Sequence, residues 1–271
     1  MMDFTKGYAS RWRVDRVDPG TWEPCGTLGG VESVTVDRDG TGDLLETATM
    51  KVTAPALESF APGWHRITME AVQGTHSESV PIATLWLDAG SGYFDKGYRQ
   101  DAVTGRSALC QAADTQSGDG TYAPKGADGA AWVGDALSKC CDAPVNVHGG
   151  FELQEHIVYD LGASVLEAAW SVLRPYNWCL QIDGRGEIHV REMPSQPVLV
   201  LDRAGSCIMH PKVTYRDGAV SYSREWAPDA YPSSVVKGAL PDRGLDGLYR
   251  IVTQKLTCAK GIKVEESAEA L

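Results

Sequence analysis

The sequence predicts an α+β chain that is mainly β, in which two β-rich regions flank a smaller unit carrying the helices. Three observations predict it. Apolar and polar residues alternate between turn signals over residues 28–100 and again after residue 199, whereas helical spacing is confined to 101–198. A content of 29 Gly and 14 Pro calls for many turns and short strands. The length, 271 residues, exceeds the ~250 at which a single hydrophobic core usually stops growing, so at least two cores are expected.

The first region contains four strand texts, GGVESVTVDRDG, LLETATMKVTAP, WHRITMEAVQG and VPIATLWLDAG. In the second, Ala48, Met50 and Val52 alternate with Thr47, Thr49 and Lys51, the period of two that buries one face of a strand. Ile67, Met69 and Ala71 alternate in the same way with Arg66, Thr68 and Glu70. The turn texts RDGTGD, APGW, QGTHSE and DAGSG recur at the spacing of an antiparallel barrel or sandwich. With no helix between them, these strands are expected to pair as chain neighbours.

Three helices follow. VTGRSALCQAADTQ reads as a strand end and a short helix with Ser107 at the N-cap and Leu109, Ala112 and Ala113 on one face. In ADGAAWVGDALSKCCDAP, residues Trp132, Val133, Ala136, Leu137 and Cys140 recur at helical spacing ahead of Pro144. VNVHGGFELQEHIVYD reads as loop and strand. The third helix opens with a capping box, Ser164 and Glu167 three residues on, and stops near Arg174 because Pro175 disfavours helix before it. NWCLQIDGRGEIHVRE then alternates around Asp-Gly, with Trp178, Leu180 and Ile182 before the turn and Ile188 and Val190 after it, which predicts a hairpin.

The last region repeats the β pattern, with a hairpin around Arg216, Asp217 and Gly218 and one or two strands in LYRIVTQKLTCAKGIKVEESAEAL. Some 70 residues are few for a free-standing barrel, so it is expected to pack on the first region or on another subunit. The predicted division is 1–100, 101–198 and 199–271.

A formal charge of −11 without clustered Lys or Arg argues against specific nucleic-acid binding and against an anionic membrane surface. No apolar run approaches the ~20 residues of a membrane span, and MMDFTKGYASRWRVD lacks the apolar core of a signal peptide, so no membrane anchor and folding in a cytoplasm are expected. Seven cysteines, at 25, 110, 140, 141, 179, 207 and 258, are an odd and scattered set. Reduced, mostly buried thiols are the expectation.

No catalytic, cofactor-binding or metal-binding residue is predicted. Cys140 and Cys141 with His148 and His156 lack the paired spacing of a zinc site. Glu152 and Glu155, candidates for a catalytic carboxylate pair, sit in a polar stretch and read as solvated. No GxSxG elbow or phosphate loop is present, and QSGDGTYAPKGADG reads as a mobile surface loop. His65 and His189 read as surface residues on the polar sides of strands, and His148 as part of a turn. Among eight tryptophans, Trp86, Trp132, Trp170 and Trp178 are expected in cores, leaving Trp12, Trp22, Trp64 and Trp226 to serve an interface.

Three stretches together carry a resemblance: DKGYRQDAVTGRSALCQAAD, ADGAAWVGDALSKC and SVLEAAWSVLRPYNWCLQIDGRGEIHVRE. Their succession between two β-rich regions resembles the late control D-like hub proteins of bacteriophage tails, baseplates and contractile injection systems. The match covers some 90 residues closely and the rest by element order. The resemblance implies two tube-like antiparallel β-barrel domains with an inserted α/β region, assembled as a homotrimer that adapts a sixfold tail tube to a threefold spike or tip. It implies as partners a tail tube or distal tail ring protein, a tape measure protein and a spike or tip protein, within a virion tail assembled in the host cytoplasm. It implies a structural protein that is not an enzyme and has no cofactor. Many members continue into a spike or lysozyme, whereas this text ends at VEESAEAL, so no wall hydrolase is expected. An acidic bore would suit passage of DNA. The other reading of the acidic and aromatic residues is a carbohydrate-binding or peptidoglycan-degrading tail protein.

Overall fold

The computed structural model describes residues 9–53, 60–95, 98–117, 122–158, 162–202, 214–216, 219–224, 226, 228, 230–259 and 261–271, with the backbone alone at 89–95, 98–102, 214–216 and 243. The chain is mainly β, 56% strand and 14% helix.

The first region holds β1 (Ala9–Val17), β2 (Pro24–Leu28), β3 (Val31–Asp39), β4 (Glu46–Val52), β5 (Gly63–Gln73), β6 (His76–Asp95) and β7 (Tyr98–Arg106). β4 alternates at every residue, with Ala48, Met50 and Val52 buried and Thr47, Thr49 and Lys51 exposed. Chain neighbours pair at β3–β4, β5–β6 and β6–β7. The expected β4–β5 pair is replaced: β4 takes β7 and β5 takes β1, giving the order β3-β4-β7-β6-β5-β1-β2. The 20-residue β6 makes this possible, since β5 pairs with its first half and β7 with its second.

β5 also departs from one-sided burial. Ile67 and Met69 face the core of the first region, but Arg66 and Thr68, expected outside, are buried as well. Their face is covered by the inserted unit: Arg66 Nη2 donates to the Arg185 carbonyl at 3.2 Å. His65 is not a surface residue. It shares the parity of Ile67 and Met69, is 1% exposed, stacks on Phe60, and is held by burial below the ordinary histidine pKa.

The inserted unit contains α1 (Leu109–Asp114), β8 (Tyr122–Ala123), α2 (Gly129–Ser138), β9 (Val145–His148), β10 (Ile157–Val158), α3 (Val165–Leu173), a 3-10 turn (Arg174–Tyr176), β11 (Trp178–Ile182) and β12 (Ile188–Glu192). Of the glycine-rich stretch expected as a mobile loop, residues 118–121 lie outside the described residues, and Tyr122–Ala123 form β8 on β10.

The α3 capping box is present: Glu167 N donates to Ser164 Oγ at 3.1 Å, and Ser164 N donates to Glu167 Oε2 at 2.7 Å. The helix ends at Leu173 with Arg174 as C-cap, as Pro175 requires. Ser107 is not a cap. Ala108 holds that position, while Ser107 is fully buried and its hydroxyl donates to the Leu44 carbonyl, tying α1 to the first region. α2 is capped by Asp128 and buries Ala130, Val133, Gly134 and Leu137. Trp132 and Ala136 lie half-buried on α2 and Cys140, expected on the same face, falls past its end at Ser138; Gly134 lets β9 come close, since a Cβ there would strike Val147.

β11 and β12 form the predicted hairpin, and β9 adds to β12 in parallel. Trp178, Leu180, Ile182, Ile188 and Val190 are all buried, in one core with Leu166, Ala169, Trp170 and Leu173 of α3. Val17, Trp22 and Trp64 of the first region belong to the same core.

The third region contributes β13 (Pro197–Leu201), β14 (Thr214–Arg216), β15 (Ala219–Arg224), β16 (Val235–Leu240), β17 (Leu245–Cys258) and β18 (Ile262–Ala270). β14 and β15 pair as the predicted hairpin with Arg216 opposite Ala219; Asp217 and Gly218 lie outside the described residues. The region does not stand alone. β17 pairs with β18 on one side, and on the other with β16 through Leu245–Arg250 and then with β3 through Thr253–Cys258. The described strands of both β regions thus form a single 13-stranded sheet.

Candidate functional site

The join between the two β regions is marked by a row of buried polar residues. Arg38 on β3 lies opposite Glu46 on β4 and opposite Gln254 on β17, and Gln254 lies opposite Glu266 on β18. Arg38 donates through Nε to Glu46 Oε1 at 2.6 Å, through Nη1 to Gln254 Oε1 at 2.6 Å, and through Nη2 to the Ile82 carbonyl. Gln254 Nε2 donates to Glu266 Oε1 at 2.6 Å and to the Ala230 carbonyl at 2.8 Å. Arg224 on β15 closes the row with two bonds to Glu266, at 2.8 and 2.6 Å. Direct cross-strand neighbours are the contact unit of a sheet, so this ladder spans the neighbouring strands β4, β3, β17, β18 and β15. Its two arginines match its two glutamates in charge.

Burial and charge oppose each other here. Burial pushes the Glu46 carboxyl above the usual range, and Arg38 pulls it back down. Glu46 Oε2 is buried without a hydrogen-bond partner among the described residues. A native pKa above the unfolded value of 4.5 means that the folded chain keeps a proton which the unfolded chain has already released. Glu46 therefore withdraws stability as pH rises from 4.5 through its native pKa. Glu46→Gln is expected to be costlier near pH 4.5 than at neutral pH, the gap to wild type narrowing as pH rises in urea unfolding. A gap that is constant or widens with pH contradicts the assignment.

The hairpin tip is the second joint. Gly184 N donates to the Tyr231 hydroxyl at 3.1 Å, and the Gly184 carbonyl accepts from Thr84 Oγ1 at 3.2 Å. The Arg185 carbonyl accepts from Trp22 Nε1 at 2.8 Å and from Arg66. A Cβ on Gly184 would strike the Pro81 carbonyl, and one on Gly186, at φ 77°, would meet Thr84 Cβ at 2.7 Å. Tyr231 is itself covered by the Arg38 guanidinium, 4.8 Å from its ring centre. The tip thereby connects the inserted unit to the polar ladder. The ribbon is likewise seated on the first region, through Thr84, Trp22 and Arg66.

A cleft of about 710 Å³ opens beside the ladder, lined by Asp37, Asp39, Asp43, Thr47 and Lys255 as well as Arg38 and Glu46. Its rim is acidic apart from Lys255, which lies 3.6 Å from Asp37.

Glu152 and Glu155 are exposed. Cys140 and Cys141 have sulfurs 3.9 Å apart, but the two histidines weighed with them have other partners: His156 Nδ1 accepts from Lys125 N, and His148 Nε2 meets His189 Nδ1 at 2.9 Å. His148 ends β9 rather than standing in a turn, and His189 is half-buried, 3.5 Å from Asp183 Oδ2. Trp170 and Trp178 are buried as expected, and Trp86 and Trp132 are half-buried at core edges. The surface role foreseen for Trp22, Trp64 and Trp226 is wrong: they are 7%, 2% and 1% exposed. Trp22 and Trp64 pack edge to face, as do Trp64 and Trp86, and Trp226 lies with Leu256 and Val264 in the core shared by the two β regions. Trp12 is half-buried and donates to the Ala259 carbonyl at 2.7 Å, another tie between the β regions. Of the six described cysteines, Cys25 is exposed; burial lifts Cys179 to about 11 and Cys258 to about 12. Cys207 lies outside the described residues.

No protein-family model and no curated protein sequence matches this chain. Solved structures do. A tail protein from Neisseria meningitidis MC58 superposes with a TM-score of 0.65 over 97% of both chains at 12% identity. A 43 kDa tail protein of prophage MuSo2 from Shewanella oneidensis gives 0.66 over 97% of both at 11%. The chain has the fold of a phage tail protein. This tail-protein fold extends to E. coli c3393, a component of the type VI secretion system with structural similarity to the T4 tail proteins gp27 and gp5. There the TM-score is 0.53 at 10% identity, over 89% of this chain and 74% of that one. The tail-protein fold includes both β regions and the inserted unit, since the first two matches run nearly end to end.

Proposed function

We propose that the protein is a structural component of a phage tail or baseplate, a homotrimeric hub that adapts a sixfold tail tube to a threefold spike or tip. The observation that carries this reading is the end-to-end likeness to tail proteins in a chain whose two β regions are fused through β3–β17 pairing. In this reading residues 1–100 and 199–271 are tube-like barrel domains and 101–198 an insertion. Two similar barrels per subunit, repeated three times, offer six similar edges to a tube ring. The partners are a tail tube or distal tail ring protein, a tape measure protein and a spike or tip protein, and the protein resides in the virion tail after assembly in the host cytoplasm. With a formal charge of −11, the ring would present an acidic bore, which does not retain DNA phosphates.

The role is mechanical rather than catalytic. The ladder's charged groups are engaged with one another, and the rings of Trp22, Trp64, Trp170, Trp178 and Trp226 are buried rather than offered to a sugar. Size-exclusion chromatography with light scattering tests the assembly: three chain masses per particle are expected. A monomer that releases fragments from peptidoglycan refutes the hub and favours a wall-degrading tail protein.

A further inference from the structure

We propose that the chain binds one divalent transition-metal ion, of the zinc class, through Asp183, Glu187 and His189 beside the turn of the β11–β12 hairpin. The three are half-buried, and each offers a ligand atom within 4.8 Å of the others. They share a face because Asp183 and Glu187 close the hairpin loop and His189 follows two residues on. Tetrahedral zinc with bonds of 2.0–2.2 Å asks for ligand separations of about 3.3 Å, which small side-chain rotations reach.

Each ligand has an outer partner that orients it and leaves one donor atom over. Asp183 Oδ1 accepts from Arg185 N and Glu187 N, both at 2.9 Å, so Oδ2 faces His189. Glu187 Oε2 accepts from Asn146 Nδ2 at 2.8 Å, leaving Oε1. His189 Nδ1 lies 2.9 Å from His148 Nε2; when His189 donates through Nδ1, its Nε2 carries the lone pair a metal takes. Arg191, on the same face as His189, donates through Nη1 to Gln181 Oε1 at 3.3 Å. Partners of this kind fix the ring and carboxylate positions of metal ligands, and the Gly184 seat against Pro81 holds the turn that carries them. Three protein ligands leave a fourth position for water. The zinc pattern considered from sequence looked for cysteine pairs, and a ligand set assembled across a hairpin has no such spacing.

The proposal does not rest on the tail role, and its test is indifferent to assembly state. The full chain, stripped with EDTA and desalted, is titrated with zinc chloride alone in a calorimeter. One ion per chain is expected. Glu187→Gln and His189→Gln each abolish the heat, Asn146→Ala weakens binding roughly 10-fold or more, and Cys140→Ser leaves it unchanged. Far-UV circular dichroism selects the folded variants, and the two ligand substitutions are read independently. Absence of binding by the wild-type chain, binding by either folded ligand variant as tight as wild type, or loss on Cys140→Ser overturns the site.

Discussion

Replacing Arg224 with methionine destabilises the chain by about 3–5 kcal/mol, the usual cost of stranding one partner of a buried ion pair. Arg224 and Glu266 are bonded twice, and both side chains are 0% exposed. Losing Arg224 leaves the buried Glu266 without its ion-pair partner, with Gln254 Nε2 still donating to Oε1 at 2.6 Å. The double change Arg224→Met with Glu266→Leu removes the orphaned charge and is expected to restore most of the loss, because apolar residues of similar volume replace such pairs at little cost. Urea unfolding followed by tryptophan fluorescence reads both, since Trp226 is buried in the core that spans the β regions. A single variant within about 0.5 kcal/mol of wild type, the size of an ordinary surface change, would show that the pair does not brace the sheet.

Gly184→Ala is expected to cost about 3 kcal/mol, at the upper end of overpacking penalties. The clash is with backbone, the Pro81 carbonyl and the Ile82 carbonyl behind it, and neither can rotate away. The tip must lift, and its bonds to Tyr231, Thr84, Trp22 and Arg66 weaken together. At about 2–4 °C per kcal/mol for a chain of this size, a drop in Tm of roughly 6–12 °C follows. Gly26→Ala, with open space around its Cβ, serves as the control and should stay within about 0.5 kcal/mol. Equal thermal stability of the two variants would mean that the tip is not seated.

The local features of this fold were legible because local rules decide them. Ser164 and Glu167 are three residues apart and make the capping box; Pro175 ends the helix it follows; Asp183-Gly184 turns the hairpin whose alternating residues are buried. What the text did not disclose depends on partners far away along the chain. β17 finds β3 across more than 200 residues, and the ladder from Glu46 to Arg224 exists only once that pairing is made. The same distance explains Trp22, Trp64 and Arg66. Alternation assigns one buried face to a strand, but β5 lies between the core of the first region and the inserted unit and is covered on both. Ser107 carried the chemistry of a cap, and its hydroxyl went instead to Leu44, 63 residues away. Asp183, Glu187 and His189 each read as ordinary polar positions until the hairpin and β9 brought them together with Asn146 and His148.

The central claim, that this fold serves as a symmetry-adapting hub, is tested most directly by single-particle cryo-electron microscopy of the purified chain. Threefold rings are expected, in which the two β regions of each subunit alternate around an acidic bore as six similar barrels. Isolated monomers, or rings with a strongly basic bore, would contradict it.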